Sequence, residues 1–119
     1  MKLEVEMYIR TKGGFIDKIV SFKSTISNDY VELEDEYYAN KKDILKASHN
    51  TIDLIEIGDY VNGSRVIEIN EYDGEKYVYV EETEYSNANQ TDINIYYKNE
   101  DIKSIVTKEQ FEAIQYKVV

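Results

Sequence analysis

Apart from its carboxylates, this chain has few side chains that could do chemistry. His49 is the single histidine and there is no cysteine, so neither a thiol and imidazole pair nor a thiolate metal site can be assembled. Ser48 adjoins His49, but neighbours in sequence rarely face each other and no third member of a triad is identifiable. His49 therefore reads as a polar turn residue. Carboxylate pairs such as Glu32 with Glu34, or Glu81 with Glu84, could share acid and base work. With 24 acidic side chains in the chain, such pairs arise by chance and fit a solvated strand face. Neither Asn70–Glu81 nor Asn87–Asn94 has the ligand spacing, glycine and closing acid of a calcium loop. Gly13-Gly14, Gly58, Gly63 and Gly74 fall in turns with no strong helix behind them, which is not the arrangement that cradles phosphate. The residues point to binding rather than catalysis, with no cofactor and no metal.

Two features remain as candidates for binding. The first is the acidic and aromatic run Glu32, Glu34, Asp35, Glu36, Tyr37 and Tyr38, echoed by Glu81, Glu82, Glu84 and Tyr85. Carboxylates spaced along strands can imitate the phosphates of nucleic acid, occupy a basic groove on a protein and raise association rates by steering. A merely soluble acidic surface has the same composition. The second is the count of twelve tyrosines, which join a large apolar ring to a polar tip and are enriched at interfaces. Half-buried sheet positions use tyrosine for the same reason.

Charge and length narrow the partners. Fourteen basic residues against the acids leave a formal charge of −10, and that field repels nucleic-acid phosphates and anionic membranes. At 119 residues a single domain can bury roughly two-thirds of its unfolded surface. No run approaches the roughly 20 apolar residues of a membrane span, and Lys2, Glu4 and Glu6 interrupt the first residues, so the expected setting is the cytoplasm.

The elements that must position these residues read mostly as strands. Leu3, Val5, Met7 and Ile9 alternate with polar neighbours, the period of a strand with one buried face. Gly13-Gly14 predicts a hairpin into Phe15–Phe22, and Tyr30–Glu34 a third strand. Over Asn40–Ser48 the pattern allows either a short helix capped by Asn40 or a strand. Ile52–Val61 is apolar and broken at Gly58-Asp59, Asn62-Gly63 marks a turn, and Asp73-Gly74 predicts a hairpin between Arg65–Tyr72 and Glu75–Glu82. Ser86–Asp92 reads as an exposed, mobile loop, Ile93–Tyr97 and Ile102–Val106 as strands, and Tyr116–Val119 as an extended tail. Thr107 and Gln110 have the spacing of a capping box opening a short helix through Phe111 and Ile114. The expected fold is mainly β, or α+β: six to eight short antiparallel strands in a curved sheet or small barrel, with one or two short helices. Sheet edges and tyrosine faces are compatible with a homodimer without selecting it.

The stretch Asp53–Gly63 with Val66–Ile69, and the stretch Ile102–Val118, resemble a family of small accessory proteins encoded by temperate phages and prophages of low-GC Gram-positive bacteria. The resemblance covers the centre and the C-terminus, and the intervening segment, about Tyr72–Asn99, varies within that family. It implies no catalytic residue. It implies a bacterial host cell as the setting, where small acidic phage proteins often resemble inhibitors of host defence, anti-CRISPR proteins among them. The expected function is thus an acidic inhibitor that occupies a basic nucleic-acid-binding surface on a host protein. The alternatives are capture of a small nucleotide signal and an accessory role outside defence.

Overall fold

The computed structural model describes residues 2–26, 28–81 and 95–114. Among these residues the chain is mainly β and divides into two compact units, 1–54 and 55–119, each containing one five-stranded antiparallel sheet. The ten strands exceed the six to eight expected because several strands are only two to five residues long, and neither sheet closes into a barrel.

The first unit is built from β1 (Tyr8–Thr11), β2 (Ile16–Ser24), β3 (Asp29–Leu33), β4 (Tyr38–Asn40) and β5 (Ile44–Ser48), in the order β4-β3-β2-β1-β5. Its core is Ile9, Ile19, Val31, Leu33, Ala39 and Ile44, with Leu3, Met7 and Ala47 packed against it. The strand expected over Leu3–Ile9 begins only at Tyr8. A turn closed by Met7 N–H on the Glu4 carbonyl (3.2 Å) and a left-handed Glu6 (φ 77°) interrupt the extended chain. The alternation survives as packing, since Leu3, Met7 and Ile9 still reach the core while Val5 is exposed. Asn40 caps as expected, its side chain accepting from Lys42 N–H, but the helical turn ends at Asp43 and the chain continues as β5.

The second unit orders β10 (Ile105–Val106), β6 (Tyr60–Val61), β7 (Ser64–Tyr72), β8 (Glu75–Val80) and β9 (Ile95–Tyr97), followed by α1 (Lys108–Ile114). Asn62-Gly63 and Asp73-Gly74 make its two tight hairpin turns, and all four residues are left-handed as such turns require. The loop expected at Ser86–Asp92, the residues Ile93 and Asn94, and the tail Tyr116–Val119 lie outside the described residues.

Two polar side chains fasten this unit. Asp59 is fully buried; its carboxylate accepts from Glu56 N–H (2.7 Å) and from Lys108 N–H (2.9 Å), and its carbonyl accepts from Val66 N–H (2.7 Å). Asn62 accepts from the amides of Lys103 (2.7 Å) and Ser104 (3.1 Å) and donates to the Asp101 carbonyl (2.9 Å). The Thr107 capping box forms as read, Thr107 Oγ1 accepting from Gln110 N–H and Gln110 Oε1 from Thr107 N–H, while Tyr60 stacks on Phe111 with ring centres 4.4 Å apart. The stretch around Asp59 and the stretch around Thr107 are therefore one physical scaffold, joined by β6–β10 pairing and by these side chains.

Three large apolar residues stand two-fifths or more exposed for a shared reason. Val20, Leu45 and Ile67 (40%, 46% and 45%) are each the extra residue where strand register shifts, in β2 against β3, β5 against β1, and β7 against β8. A bulge leaves its inserted residue unpaired and tightens the local twist, so these side chains record strand bending.

Asp59→Ala strips the acceptor from two amides and is expected to destabilise the second unit by about 3 kcal/mol. Denaturant melting together with faster hydrogen exchange at Glu56 and Lys108 measures this. Unchanged exchange at those two amides would show that the carboxylate is not what holds them.

Candidate functional site

The acidic run of the first unit lies on the β3–β4 hairpin. Leu33 N–H bonds to the Tyr37 carbonyl (2.8 Å) and Glu36 N–H to the Leu33 carbonyl (3.1 Å), closing a loop over residues 34–36 with Glu36 left-handed at φ 66°. The β1–β2 hairpin closes in the same way: Thr11 N–H bonds to Phe15 O, Gly14 N–H bonds to Thr11 O, and a glycine, Gly14, takes the left-handed position. Glutamate at the equivalent place in β3–β4 is strained, because its Cβ crowds the following carbonyl.

Glu34, Asp35 and Glu36 are exposed at the tip, next to Tyr37 (63% exposed) and Tyr38 (60%). Phe15, 54% exposed, comes from the neighbouring hairpin and lies 6.1 Å from the Tyr37 ring. Carboxylates therefore rim a small aromatic patch. The sequence marks Phe15 only as the start of a strand; in the structure it stands beside the acidic tip, directly after the Gly13-Gly14 turn.

Other acids hold the hairpin in place. Glu32 is only partly exposed and its carboxylate accepts from Ser21 Oγ (3.0 Å) and Tyr38 OH (3.1 Å), a polar link across three strands. Asp17 accepts from Asp35 N–H (3.1 Å) and Lys18 N–H (2.8 Å), and Glu34 N–H donates to the Lys18 carbonyl (2.9 Å). The hydrogen bond to Glu32, with the negative charge it carries, pushes the Tyr38 phenol above its ordinary value. Lys18 is raised too, chiefly by its hydrogen bond to Glu6 and that carboxylate's charge, 3.3 Å away, with Glu34 adding to the effect.

The second acidic cluster is only partly visible. Glu81 is exposed at the end of β8, its amide bonded to the Arg65 carbonyl (2.8 Å) and its carboxylate 4.0 Å from Arg65 Nε. Glu82, Glu84 and Tyr85 lie outside the described residues. Within the first unit the structure gathers Glu32 and Glu34–Tyr38 on one hairpin, and Glu81 belongs to the second unit.

The β7-β8-β9 sheet presents a second surface, which residue counting flagged only as an abundance of tyrosine. Tyr72, Tyr77, Tyr79 and Tyr96 line an open hollow of about 550 Å3 together with Asn70 and Glu71. The alternation of Val78 and Val80 with Tyr77 and Tyr79 was the available signal, since the valines are buried and the tyrosines are not. For a nucleotide the hollow supplies rings, but Glu68 and Glu75 share the face and the ammonium at its edge, Lys98, already lies 3.8 Å from Glu75. Of the two arginines, Arg10 is buried in the first unit, donating to the Leu54 carbonyl (3.0 Å), and Arg65 stands beside Glu81.

Ser48 and His49 turn to different partners, the serine hydroxyl to Asp53 Oδ2 and the imidazole to Glu4 (3.1 Å). No helix among the described residues is long and apolar enough to cross a membrane. No family model matches the chain, and a search of curated proteins finds no match.

Two measurements check the hairpin. Glu36→Gly relieves a left-handed Cβ and is expected to stabilise the first unit by about 1 kcal/mol, whereas Glu36→Ala keeps the strain and gains nothing; equal melting of the two variants would mean that the loop is not held left-handed. Glu32→Gln removes the charge that holds the Tyr38 proton, so ring-carbon NMR titration should show the Tyr38 phenol moving down toward its ordinary value of 10.0. Because the folded phenol is raised, its contribution to stability is complete below pH 10 and disappears only as the phenol ionises at higher pH.

Proposed function

We propose that this chain is a protein-binding module whose β3–β4 hairpin seats on a basic surface of a partner, of the kind that otherwise holds nucleic acid. The carrying observation is the contiguous exposure of Glu34, Asp35, Glu36, Tyr37 and Tyr38 on a hairpin whose own polar groups are held from behind by Glu32 and Asp17. Exposed carboxylates steer the encounter with a cationic surface, and Tyr37, Tyr38 and Phe15 supply the apolar area that persists once water is expelled. Glu81, Glu82, Glu84 and Tyr85 extend the acidic character of the molecule as secondary contacts. Within a phage-infected bacterial cytoplasm this chemistry suits an inhibitor that displaces nucleic acid from a host defence protein, as anti-CRISPR proteins do. The reading assigns no catalytic residue and no cofactor. Nucleotide capture is less well supported, because the tyrosine hollow is flanked by carboxylates.

With a partner first pulled down by the wild-type chain from a bacterial lysate, neutralising the tip by Glu34→Gln, Asp35→Asn and Glu36→Gln together is expected to slow association about tenfold at low ionic strength. The difference should shrink as salt rises. Tyr37→Ser should instead speed dissociation, as loss of a desolvated aromatic anchor does. Surface plasmon resonance across a salt series measures all three. A wild-type association rate indifferent to salt contradicts the proposal, as does a partner that keeps its nucleic acid while bound.

A further inference from the structure

One face of the β7-β8-β9 sheet combines rings and carboxylates in a way the hairpin reading does not use. Antiparallel register sets Glu68 opposite Tyr79, Asn70 opposite Tyr77, Tyr72 opposite Glu75 and Tyr79 opposite Tyr96. Side chains alternate between the two faces of a sheet, so all of these leave on one side while Val66, Val78 and Val80 are buried on the other. Tyr96 packs edge-on against Tyr77 (5.6 Å between centres) and tilted against Tyr79 (5.7 Å), and Tyr72 projects beyond them, largely exposed.

A cation of the chain itself already lies at the edge of this face. Lys98 Nζ lies 5.8 Å from the centre of the Tyr77 ring and 3.8 Å from Glu75 Oε2, while Tyr77 OH donates to the same Glu75 oxygen (3.0 Å). An ammonium, an aromatic face and a carboxylate have therefore already met at the edge of the hollow. The hydrogen bond to Glu75 also keeps the Tyr77 phenol above its ordinary value, so the ring stays neutral well past physiological pH.

We propose that this tyrosine face is a docking site for arginine side chains carried on an extended segment of a partner protein. The sign follows from charge complementarity, since Glu68 and Glu75 leave on the same face as the rings. The preference for arginine follows from shape: a planar guanidinium can stack on a tyrosine ring and present its edge to a carboxylate at the same time, which a compact ammonium cannot. The extended form follows from length. From Glu75 to Tyr79 the face runs about 14 Å along β8, at about 3.4 Å per residue, and an extended peptide with arginines at alternate positions sends them to one side at matching intervals. The site shares the partner's charge with the hairpin proposal but none of its residues, so either can fail alone.

The test uses the whole chain, with ring-carbon-labelled tyrosine, titrated with a capped five-residue peptide of alternating glycine and arginine. Ring signals of Tyr72, Tyr77, Tyr79 and Tyr96 are expected to shift together while Tyr37 and Tyr38 stay still. A peptide with citrulline in place of arginine, equal in shape and uncharged, should leave all of them in place. Tyr96→Leu should weaken binding about three- to fivefold, and the Glu34, Asp35, Glu36 neutralised variant should bind as the wild type does. Equal response to the citrulline peptide, to free guanidinium, or by the hairpin tyrosines alone would overturn the proposal. So would silence of all four rings at millimolar peptide, a result that needs no variant to fold.

Discussion

The surfaces of this protein depend on a few residues held in left-handed backbone conformations. Four hairpins, β1–β2, β3–β4, β6–β7 and β7–β8, turn through Gly14, Glu36, Asn62-Gly63 and Asp73-Gly74. A tight turn fixes the register of its strands, and a slip of one residue would send every side chain to the opposite face. Asp73-Gly74 thereby decides that Tyr77 and Tyr79 stand on the open face while Val78 and Val80 are buried. In the first unit the turn over residues 34–36 places Glu32 opposite Tyr38 and leaves three acids at the tip. Side-chain chemistry at both surfaces is downstream of backbone geometry.

At three of these turns the residues suit the conformation, and there the sequence is easy to read. Glycine has no Cβ to strain, and asparagine and aspartate tolerate left-handed backbone, so Gly13-Gly14, Asn62-Gly63 and Asp73-Gly74 announce their hairpins. Glu36 and Glu6 do not, because glutamate carries no turn signal and its left-handed φ is imposed by surrounding hydrogen bonds. For that reason the first strand was expected to begin at Leu3. Strain of this kind persists where the surroundings over-determine it, and it concentrates at functional places. Glu36 stands at the acidic tip, whereas Glu6, equally left-handed, stands outside it.

The tertiary polar contacts were legible only as composition. Asp59 and Asn62 were read as turn residues, which they are, but their side chains also hold amides more than 39 positions further along the chain. Nothing local in sequence distinguishes a turn aspartate facing water from one that receives Lys108 N–H. The acids of the hairpin divide in the same hidden way. Glu32 and Asp17 spend their oxygens on Ser21, Tyr38 and backbone amides, and only Glu34, Asp35 and Glu36 remain turned outward. Part of the negative charge counted in the sequence is therefore structural and is not offered to a partner.

Under the two proposals, both surfaces would select for positive charge, by different physics and over different distances. The hairpin tip acts through net charge, which reaches about a Debye length, roughly 8 Å at physiological ionic strength, and is weakened by salt. The tyrosine face acts through ring quadrupoles and nearby carboxylates, which matter only at contact and discriminate by the shape of the cation. A protein of charge −10 attracts basic surfaces without discrimination, so selectivity has to come from the short-range element. Under those proposals the acids would set the rate of encounter and the aromatic rings the choice of partner, because carboxylates alone cannot distinguish one basic surface from another.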